Sequence, residues 1–239
     1  AIGLVAVLTF VALFLLGSFP ALQAIKLQNL SLIAAAFIAV TVFFLTANRM
    51  VLAGIFLAAS TFKPQFTVAL VPWLLLWTLA DWRRRRSLTL SFLATMLVRV
   101  AVSEWLVPGW IHNFLHVIRA YRHYAYGHSL LDVWLNPAMG SLVSAFLLIA
   151  ALALCWRHRS LPADSPGFVL ITSLMLAATA VVIPTLAPHA QLLLLPGFLC
   201  LLFHSAYPGS EGSFTRLSRG AVWILVAWPW IAAFGLLLA

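Results

Sequence analysis

Charged side chains are scarce in this sequence, and acidic ones are the scarcest. Only 8% of the 239 residues are charged, with five Asp or Glu against fourteen Lys or Arg, while 64% are hydrophobic. Soluble domains carry roughly a quarter charged residues, and water cannot solvate a globule this apolar. The composition therefore excludes a soluble domain and predicts an integral membrane protein.

The motifs of several enzyme classes are also missing. The sequence has no Gly-rich phosphate loop, no nucleophile elbow and no zinc signature. Its two cysteines, Cys155 and Cys200, both lie in apolar runs and do not indicate a redox compartment. We therefore expect no cofactor, and the need for a metal ion stays open.

The net charge of +9 would suit a nucleic-acid partner if the basic residues lay on one polar surface. Instead, nine of the fourteen fall in short clusters between apolar runs: Arg49, Arg83 to Arg86, Arg157, Arg159, Arg216 and Arg219. Such clusters are typical of cytoplasmic loops under the positive-inside rule. The expected partner is the lipid bilayer, and no nucleic acid is expected.

Long apolar runs predict the fold, since a membrane helix needs about 20 apolar residues. The runs are Ala1–Leu16, Leu30–Thr46, Val51–Ala59, Phe66–Ala80, Leu88–Val107, Pro137–Trp156, Gly167–Leu186, Gln191–Phe203 and Ala221–Leu238. We predict an all-α, polytopic transmembrane bundle of about nine helices, several short or broken, forming a single domain over residues 1–239. The chain begins and ends inside apolar runs and lacks an initiator Met, so we interpret it as a piece of a longer protein.

Placing the arginine run Arg83–Arg86 on the cytoplasmic side determines the sidedness of the other segments. Polar residues other than Arg then gather on the outer side, in Ser18–Asn29, Thr61–Gln65, Pro108–Ser129 and Pro188–Gln191. The number of helices in Val51–Ala80 is open. One long helix there would invert the predicted membrane sidedness of every segment before it. We prefer two helices, since a lone Lys63 at mid-membrane would be costly.

Two lysines mark the sharpest candidate site on this outer side. Lys63 and Gln65 flank a proline between two apolar stretches, and an ionisable group at such depth indicates function. Lys26, followed by Gln28 and Asn29, leads directly into an apolar helix. A cation with amides at a helix start suits a phosphate or sugar hydroxyls. The structural alternative is a helix cap with an interfacial lysine.

The segment Trp110 to His128 predicts an amphipathic helix in the outer interface, followed by an aromatic loop. Its role is open between a structural anchor and a lid over a phosphate or sugar, with Tyr121, Arg122 and Tyr124 lining the site. His112 and His116 have the spacing of two metal ligands, but the pattern supplies no third ligand, so no metal site is predicted.

Other polar residues on the outer side have less specific patterns. Two prolines break the chain before His189 and Gln191, which predicts either a kink or a cavity wall. Arg99 is expected to face the bundle and pair with a carbonyl or hydroxyl, such as that of Ser103. Glu104 and Asp132 are the acids nearest the outer face, and either is a weak candidate for a general base.

At these same residues the chain resembles glycosyltransferase family 87, integral membrane enzymes of the GT-C type. The resemblance covers most of the chain, in the same order and spacing, and KPQ after an apolar run is its most specific part. The matching segments are LQAIKLQNLSL, LAGIFLAASTFKPQ, DWRRRR, the aromatic loop before SLLDVWLNP, and APHAQLLLLP.

The resemblance implies an enzyme that moves a sugar, often mannose, from a polyprenyl-phosphate carrier to a lipid or glycan acceptor. It implies a bacterial inner-membrane location with the active site facing the periplasm or exterior. Lys63 and Lys26 would contact phosphate, with Gln65, Gln28 and Asn29 beside them. His189, Gln191 and the tyrosines would line the cavity. GT-C enzymes usually place the catalytic carboxylate in their first outer loop, so we expect that residue upstream of this chain.

Two other classes of function stay open. A transporter or lipid-carrier flippase would also use broken helices, but it should show inverted repeats and polar groups at depth in both halves. No repeat is evident in this sequence. A non-catalytic membrane subunit would not bring Lys26, Lys63 and His189 together, so convergence of these residues favours an enzyme.

Overall fold

The computed structural model describes residues 18–124, 129–183 and 188–194, and every regular element in these ranges is helical. The elements are α1 Phe19–Lys26, α2 Ser31–Thr46, α3 Met50–Ser60, α4 Pro64–Thr67, α5 Leu70–Ala80, α6 Trp82–Leu106, α7 Trp110–Tyr124, α8 Leu130–Trp134, α9 Pro137–Arg157, α10 Pro166–Val182 and a 3₁₀ helix, Pro188–Leu193. The all-helical class is confirmed for this part of the chain. The runs predicted near residues 1–16 and 221–238 lie outside it.

Two helices are long and apolar enough to cross a membrane, α6 and α9. The apolar side chains of both are largely uncovered by protein, as at Leu97 (70% exposed) on α6 and Phe146 (68%) on α9. Helices α2, α3, α5 and α10 are apolar but shorter. Within residues 18–124, 129–183 and 188–194 the structure therefore supports two candidate membrane-spanning helices, and a bundle of nine stays a prediction.

Helices α3 and α6 run parallel and in close contact. A side chain on Gly54 of α3 would collide with Ser91 Oγ and the Leu88 carbonyl of α6, so only glycine permits this approach. Further along the same pair, the Thr61 hydroxyl donates to Met96 Sδ, 3.2 Å away. Both helices thus advance in the same direction, which places the arginine-rich start of α6 at the same end as the start of α3.

Helix α2 runs antiparallel to α3, since Phe44 stacks near Phe56 while Phe37 contacts Phe62. The tight turn between the two helices uses Asn48 in the left-handed conformation, with φ of 56°. The start of α2 therefore lies beside the end of α3. We call this the lysine end, because Lys63 follows α3, and the opposite end, with Arg83–Arg86, the arginine end.

Helices α5 and α10 complete the core around two tryptophans. Trp73 and Trp77 of α5 are both buried against Phe168 of α10, with ring centroids 5.9 and 5.0 Å apart. The Trp73 indole N–H donates to the hydroxyl of Thr172 at 3.1 Å. A buried tryptophan needs such a partner for its polar group, so this bond sets the position of α10 along α5.

Sequence predictions of the elements were partly wrong. The arginine clusters predict cytoplasmic loops, but the DWRRRR segment forms the first turns of α6, because the helix starts at Trp82. The outer segment Ser18–Asn29 contains α1, which is too short to be recognised as an apolar run. The preference for a break within Val51–Ala80 is confirmed, since α3 ends at Ser60 and α4 begins at Pro64.

Candidate functional site

Lys63 lies at the lysine end, in the turn that separates α3 from α4. Pro64 occupies the first position of α4, where its missing N–H costs nothing and where the preceding residue is kept out of the helix. The Lys63 ammonium donates hydrogen bonds to Asn29 Oδ1 and Ser31 Oγ, and it lies 4.9 Å from the centre of the Phe66 ring. Two segments separated by more than 30 residues thus meet at one cation.

The turn between α1 and α2 presents both acceptors to Lys63. Helix α1 ends with Gln28 in the left-handed conformation, with φ of 50°, and the Asn29 N–H donates back to the Ala24 carbonyl at 2.7 Å. The Asn29 Oδ1 atom accepts from the Ser31 N–H at 3.0 Å and from the Ser31 hydroxyl at 2.7 Å. The Asn29 side-chain oxygen and the Ser31 hydroxyl are therefore hydrogen-bonded to each other as well as to Lys63.

The ammonium of Lys63 retains donor capacity. A lysine has three N–H groups, and two are used by Asn29 and Ser31. The third has no acceptor among the described residues. Burial lowers the pKa of Lys63 from its ordinary 10.5. A half-buried ammonium with an unused donor is suited to a small anionic group such as a phosphate.

Arg99 supplies a second cation next to this turn. Its guanidinium donates to the Ala58 carbonyl at the end of α3 and to the Thr61 hydroxyl at 3.0 Å. The sequence correctly predicted a carbonyl and hydroxyl as partners, but the hydroxyl belongs to Thr61 rather than to Ser103. Arg99 was not predicted to join the Lys63 site, because its proximity depends on the parallel packing of α3 and α6.

The 3₁₀ helix Pro188–Leu193 packs against α1 and α2, close to the turn that holds Asn29. Leu192 is fully buried in a small cluster with Ala21, Ala24 and Ala35. Gln191 beside it is exposed. The backbone of the His189 segment is thereby placed next to α1 and α2, whereas the side chain of His189 lies outside the described atoms.

Three other residues are predicted to bind the sugar donor: Lys26, Gln28 and Gln65. Their side chains do not take part in the hydrogen bonds among Lys63, Asn29 and Ser31. Lys26 is exposed at the last position of α1, and Gln28 is exposed in the turn after it. Gln65 is half-buried in α4. None of their side chains forms a hydrogen bond within the described part of the chain. Only Lys63 and Asn29, of the predicted phosphate-binding residues, contact each other directly.

The segment predicted as an amphipathic interfacial helix is helical over Trp110–Tyr124. His112 and His116 on it are exposed. Over residues 18–117 and the later described ranges, no group of three His, Cys, Asp or Glu could hold a metal ion. The side chains of Tyr121, Arg122 and Tyr124 lie outside the described atoms, so their predicted place in the cavity stays a prediction.

The two candidate carboxylates both have local structural roles. Glu104 accepts the Gly109 N–H at 2.7 Å and closes the turn after α6. Asp132 forms a capping box with Ser129 at the start of α8, where each side chain accepts the other's backbone N–H. These contacts give each carboxylate a local structural role that requires no catalytic function.

Comparison with protein-family models, with curated proteins and with solved structures finds no match to this chain. The resemblance to glycosyltransferase family 87 therefore rests on the sequence segments alone. The structure adds the geometry of the lysine end, where the turn before α4 holds Lys63, the turn before α2 holds Asn29 and Ser31, and α6 holds Arg99.

Proposed function

We propose that this chain is part of a membrane glycosyltransferase that uses a polyprenyl-phosphate-linked sugar as its donor. The observation that carries the proposal is the contact of Lys63 with Asn29 and Ser31 at one end of the helices. These are the residues at which the sequence resembles the family. Their meeting in space is expected if they contact one phosphate, and it is not required if each merely caps its own helix.

The chemistry of the lysine end suits the leaving group of such a reaction. The acceptor hydroxyl attacks the anomeric carbon of the donor, and the bond from that carbon to the phosphate oxygen breaks. The electron pair leaves with the polyprenyl phosphate, whose negative charge increases. The unused N–H of Lys63 and the guanidinium of Arg99, which donates to Thr61 in the same turn, would stabilise that charge through hydrogen bonds in a partly desolvated site. We assign no residue of this chain as the base.

The membrane setting of the proposal is supported by the uncovered apolar surfaces of α6 and α9. A polyprenyl chain needs an apolar environment. The lysine end lies at the ends of the helices that expose this apolar surface. We propose that the remaining apolar helices lie in the same bilayer, with the arginine end in the cytoplasm and the lysine end outside. The break at Lys63–Pro64 would then open the outer leaflet side of the bundle to the donor phosphate.

The test replaces Lys63 in the full-length protein within membranes. Lys63→Gln keeps a side-chain donor for Asn29 but removes the charge, whereas Lys63→Arg keeps the charge. Removal of one charged contact to a transition state costs about 100-fold or more in rate. Transfer of labelled sugar from polyprenyl phosphate should therefore fall at least about 100-fold in Lys63→Gln, and should be partly retained in Lys63→Arg.

Arg49→Gln is the matched control, since it removes an exposed cation at the opposite end, outside any described contact with the lysine cluster. Its transfer rate should stay within about twofold of the unchanged protein. Equal rates for Lys63→Gln and Arg49→Gln would remove the catalytic role of the lysine end. Measured binding of polyprenyl phosphate without any transfer would instead favour a carrier flippase, because a flippase binds the same lipid and leaves the sugar attached.

The pH dependence of sugar transfer distinguishes an effect of the Lys63 charge from an effect of its side-chain shape. Burial lowers the pKa of Lys63, so its charge is lost as the pH rises through that lowered value, below the ordinary 10.5. Transfer should decline over this alkaline range in the unchanged protein. The decline should move to higher pH in Lys63→Arg, because arginine stays protonated. The same alkaline decline in both proteins would show that another group is titrating.

A further inference from the structure

The arginine end brings together two arginine clusters that are distant in sequence. Arg85, only 8% exposed, lies 3.9 Å over the Trp77 ring and donates to the Trp77 carbonyl at 2.8 Å. It also donates to the carbonyls of Arg159 and Leu161, at 3.0 and 3.1 Å. The start of α6 and the loop after α9 are thereby joined at one buried guanidinium.

The joined surface carries an excess of unpaired positive charge. Arg83, Arg84, Arg86 and Arg157 are exposed, and Arg159 lies 4.2 Å over the ring of Trp156. We call these five arginines the arginine patch. The neighbouring acids are Asp81 and Asp164, and neither forms an ion pair with the patch within the described ranges. Arginines at a helix start are also disfavoured by the helix dipole unless an anion lies nearby.

The patch lies where an uncovered apolar surface ends. Trp82 (42% exposed) and Trp156 (56% exposed) flank it at the start of α6 and the end of α9. These are the two candidate membrane-spanning helices, and exposed leucines such as Leu90 and Leu93 follow the arginines on α6. Tryptophan between apolar surface and cations is typical of the depth of lipid headgroups.

We propose that the arginine patch binds the phosphate headgroups of anionic phospholipids. Guanidinium groups match phosphate oxygens through paired hydrogen bonds, and the excess of arginine over acid favours a headgroup with net negative charge. A soluble anion would satisfy the guanidinium groups but would leave the adjoining apolar surface and the exposed parts of both tryptophans uncovered. A lipid satisfies all three at once. The buried Arg85 positions the two halves of the patch and does not itself reach the lipid.

The test uses the full-length protein, purified in an uncharged detergent and titrated with phosphatidylglycerol or phosphatidylcholine. Bound lipid is counted by native mass spectrometry, and the melting temperature is followed in parallel. Phosphatidylglycerol should bind and raise the melting temperature, whereas phosphatidylcholine should not. In the triple variant Arg83→Gln, Arg86→Gln, Arg157→Gln, the apparent affinity for phosphatidylglycerol should fall by at least about tenfold, given several basic contacts to an anionic surface.

Two matched variants keep the test falsifiable. Replacing the same three arginines with lysine retains the charge and should keep a preference for phosphatidylglycerol, which also shows that the site tolerates substitution. His112→Gln changes an exposed side chain on α7, outside the patch and outside the proposed donor site, and should leave the affinity within twofold. Equal binding of both lipids, or unchanged affinity in the triple variant, would overturn the proposal. Protection by inorganic phosphate equal to that by phosphatidylglycerol would identify a free-anion site instead.

Discussion

The two ends of the molecule each hold a partly or fully buried cation, but they hold it in different ways. Arg85 at the arginine end donates to backbone carbonyls, including those of Trp77, Arg159 and Leu161. Lys63 at the lysine end donates to two side chains, Asn29 and Ser31. The Leu161 carbonyl also accepts the Trp77 indole N–H at 2.7 Å, and Asn29 and Ser31 are hydrogen-bonded to each other as well as to Lys63.

This difference separates a structural cation from a candidate functional one. Removal of Arg85 would take its donor from the Trp77 and Arg159 carbonyls, and each unsatisfied buried group is costly. Removal of Lys63 would leave Asn29 and Ser31 satisfied. The fold therefore depends on Arg85 far more than on Lys63, and a cation that the fold does not need is available for a ligand.

The largest expected effect comes from Arg85→Met in the purified protein. It takes the guanidinium donor away from the Trp77 and Arg159 carbonyls and uncovers the Trp77 ring face, so we expect a loss of about 3 kcal/mol in the free energy of unfolding. Thermal unfolding in detergent measures it. The exposed neighbour Arg84 is the control, and Arg84→Met should stay within about 0.5 kcal/mol. Similar losses for both would mean that Arg85 is not the clamp between α6 and the loop after α9.

A smaller loss of stability is expected from Gly54→Ala, which tests the close packing of α3 against α6 between the two ends. The added Cβ would meet Ser91 Oγ and the Leu88 carbonyl, and would lie 2.9 Å from the Phe92 nitrogen. Separating α3 from α6 should cost about 2 kcal/mol, and it should also weaken the Arg99 contacts with Ala58 and Thr61.

Gly167→Ala is the control for this crossing, because its Cβ would meet only the flexible Leu161 methyls, at 3.1 and 3.7 Å. Thermal unfolding of both variants is the measurement. If Gly167→Ala destabilised the protein as much as Gly54→Ala, the close parallel contact of α3 and α6 would be incorrect.

The smallest change in stability is expected from Lys63→Met. No buried polar group loses its last partner, and the methionine stem still packs on Phe66, so the loss should be at most about 1 kcal/mol. Thermal unfolding and the sugar-transfer assay are run on the same preparation. A loss as large as that of Arg85→Met would show that Lys63 is structural, and the comparison between the two ends would fail.

Much of the local structure was predictable, because it depends on neighbouring residues. The break before Pro64 follows from the restricted backbone of proline, and it was predicted correctly. The bounds of α2, Ser31–Thr46, differ by one residue from the predicted apolar run. The helix over Trp110–Tyr124 followed from its amphipathic pattern.

Other elements could not be predicted, because the deciding contacts are distant in sequence. The arginines of α6 look like a loop by charge, but Arg85 is buried by carbonyls from residues more than 70 positions away. In the sequence Arg99 is an isolated cation within an apolar run, and its contacts at the end of α3 depend on the packing of α6 beside α3. Helix α1 is short and lies in a polar segment, so no apolar run indicates it. No sequence pattern indicates its packing against the 3₁₀ helix.

The sequence alone determined that this protein is helical and apolar, and that its basic residues other than Arg99 fall between the apolar runs. These properties follow from composition and from periodicity along one stretch of chain. Only the tertiary structure decided which polar residues meet. Lys63 contacts Asn29 and Ser31 because α2 and α3 are antiparallel, and Arg99 reaches Thr61, two residues before Lys63, because Gly54 lets α6 lie parallel to α3. Helix direction and crossing depend on packing between distant segments, which no local pattern encodes.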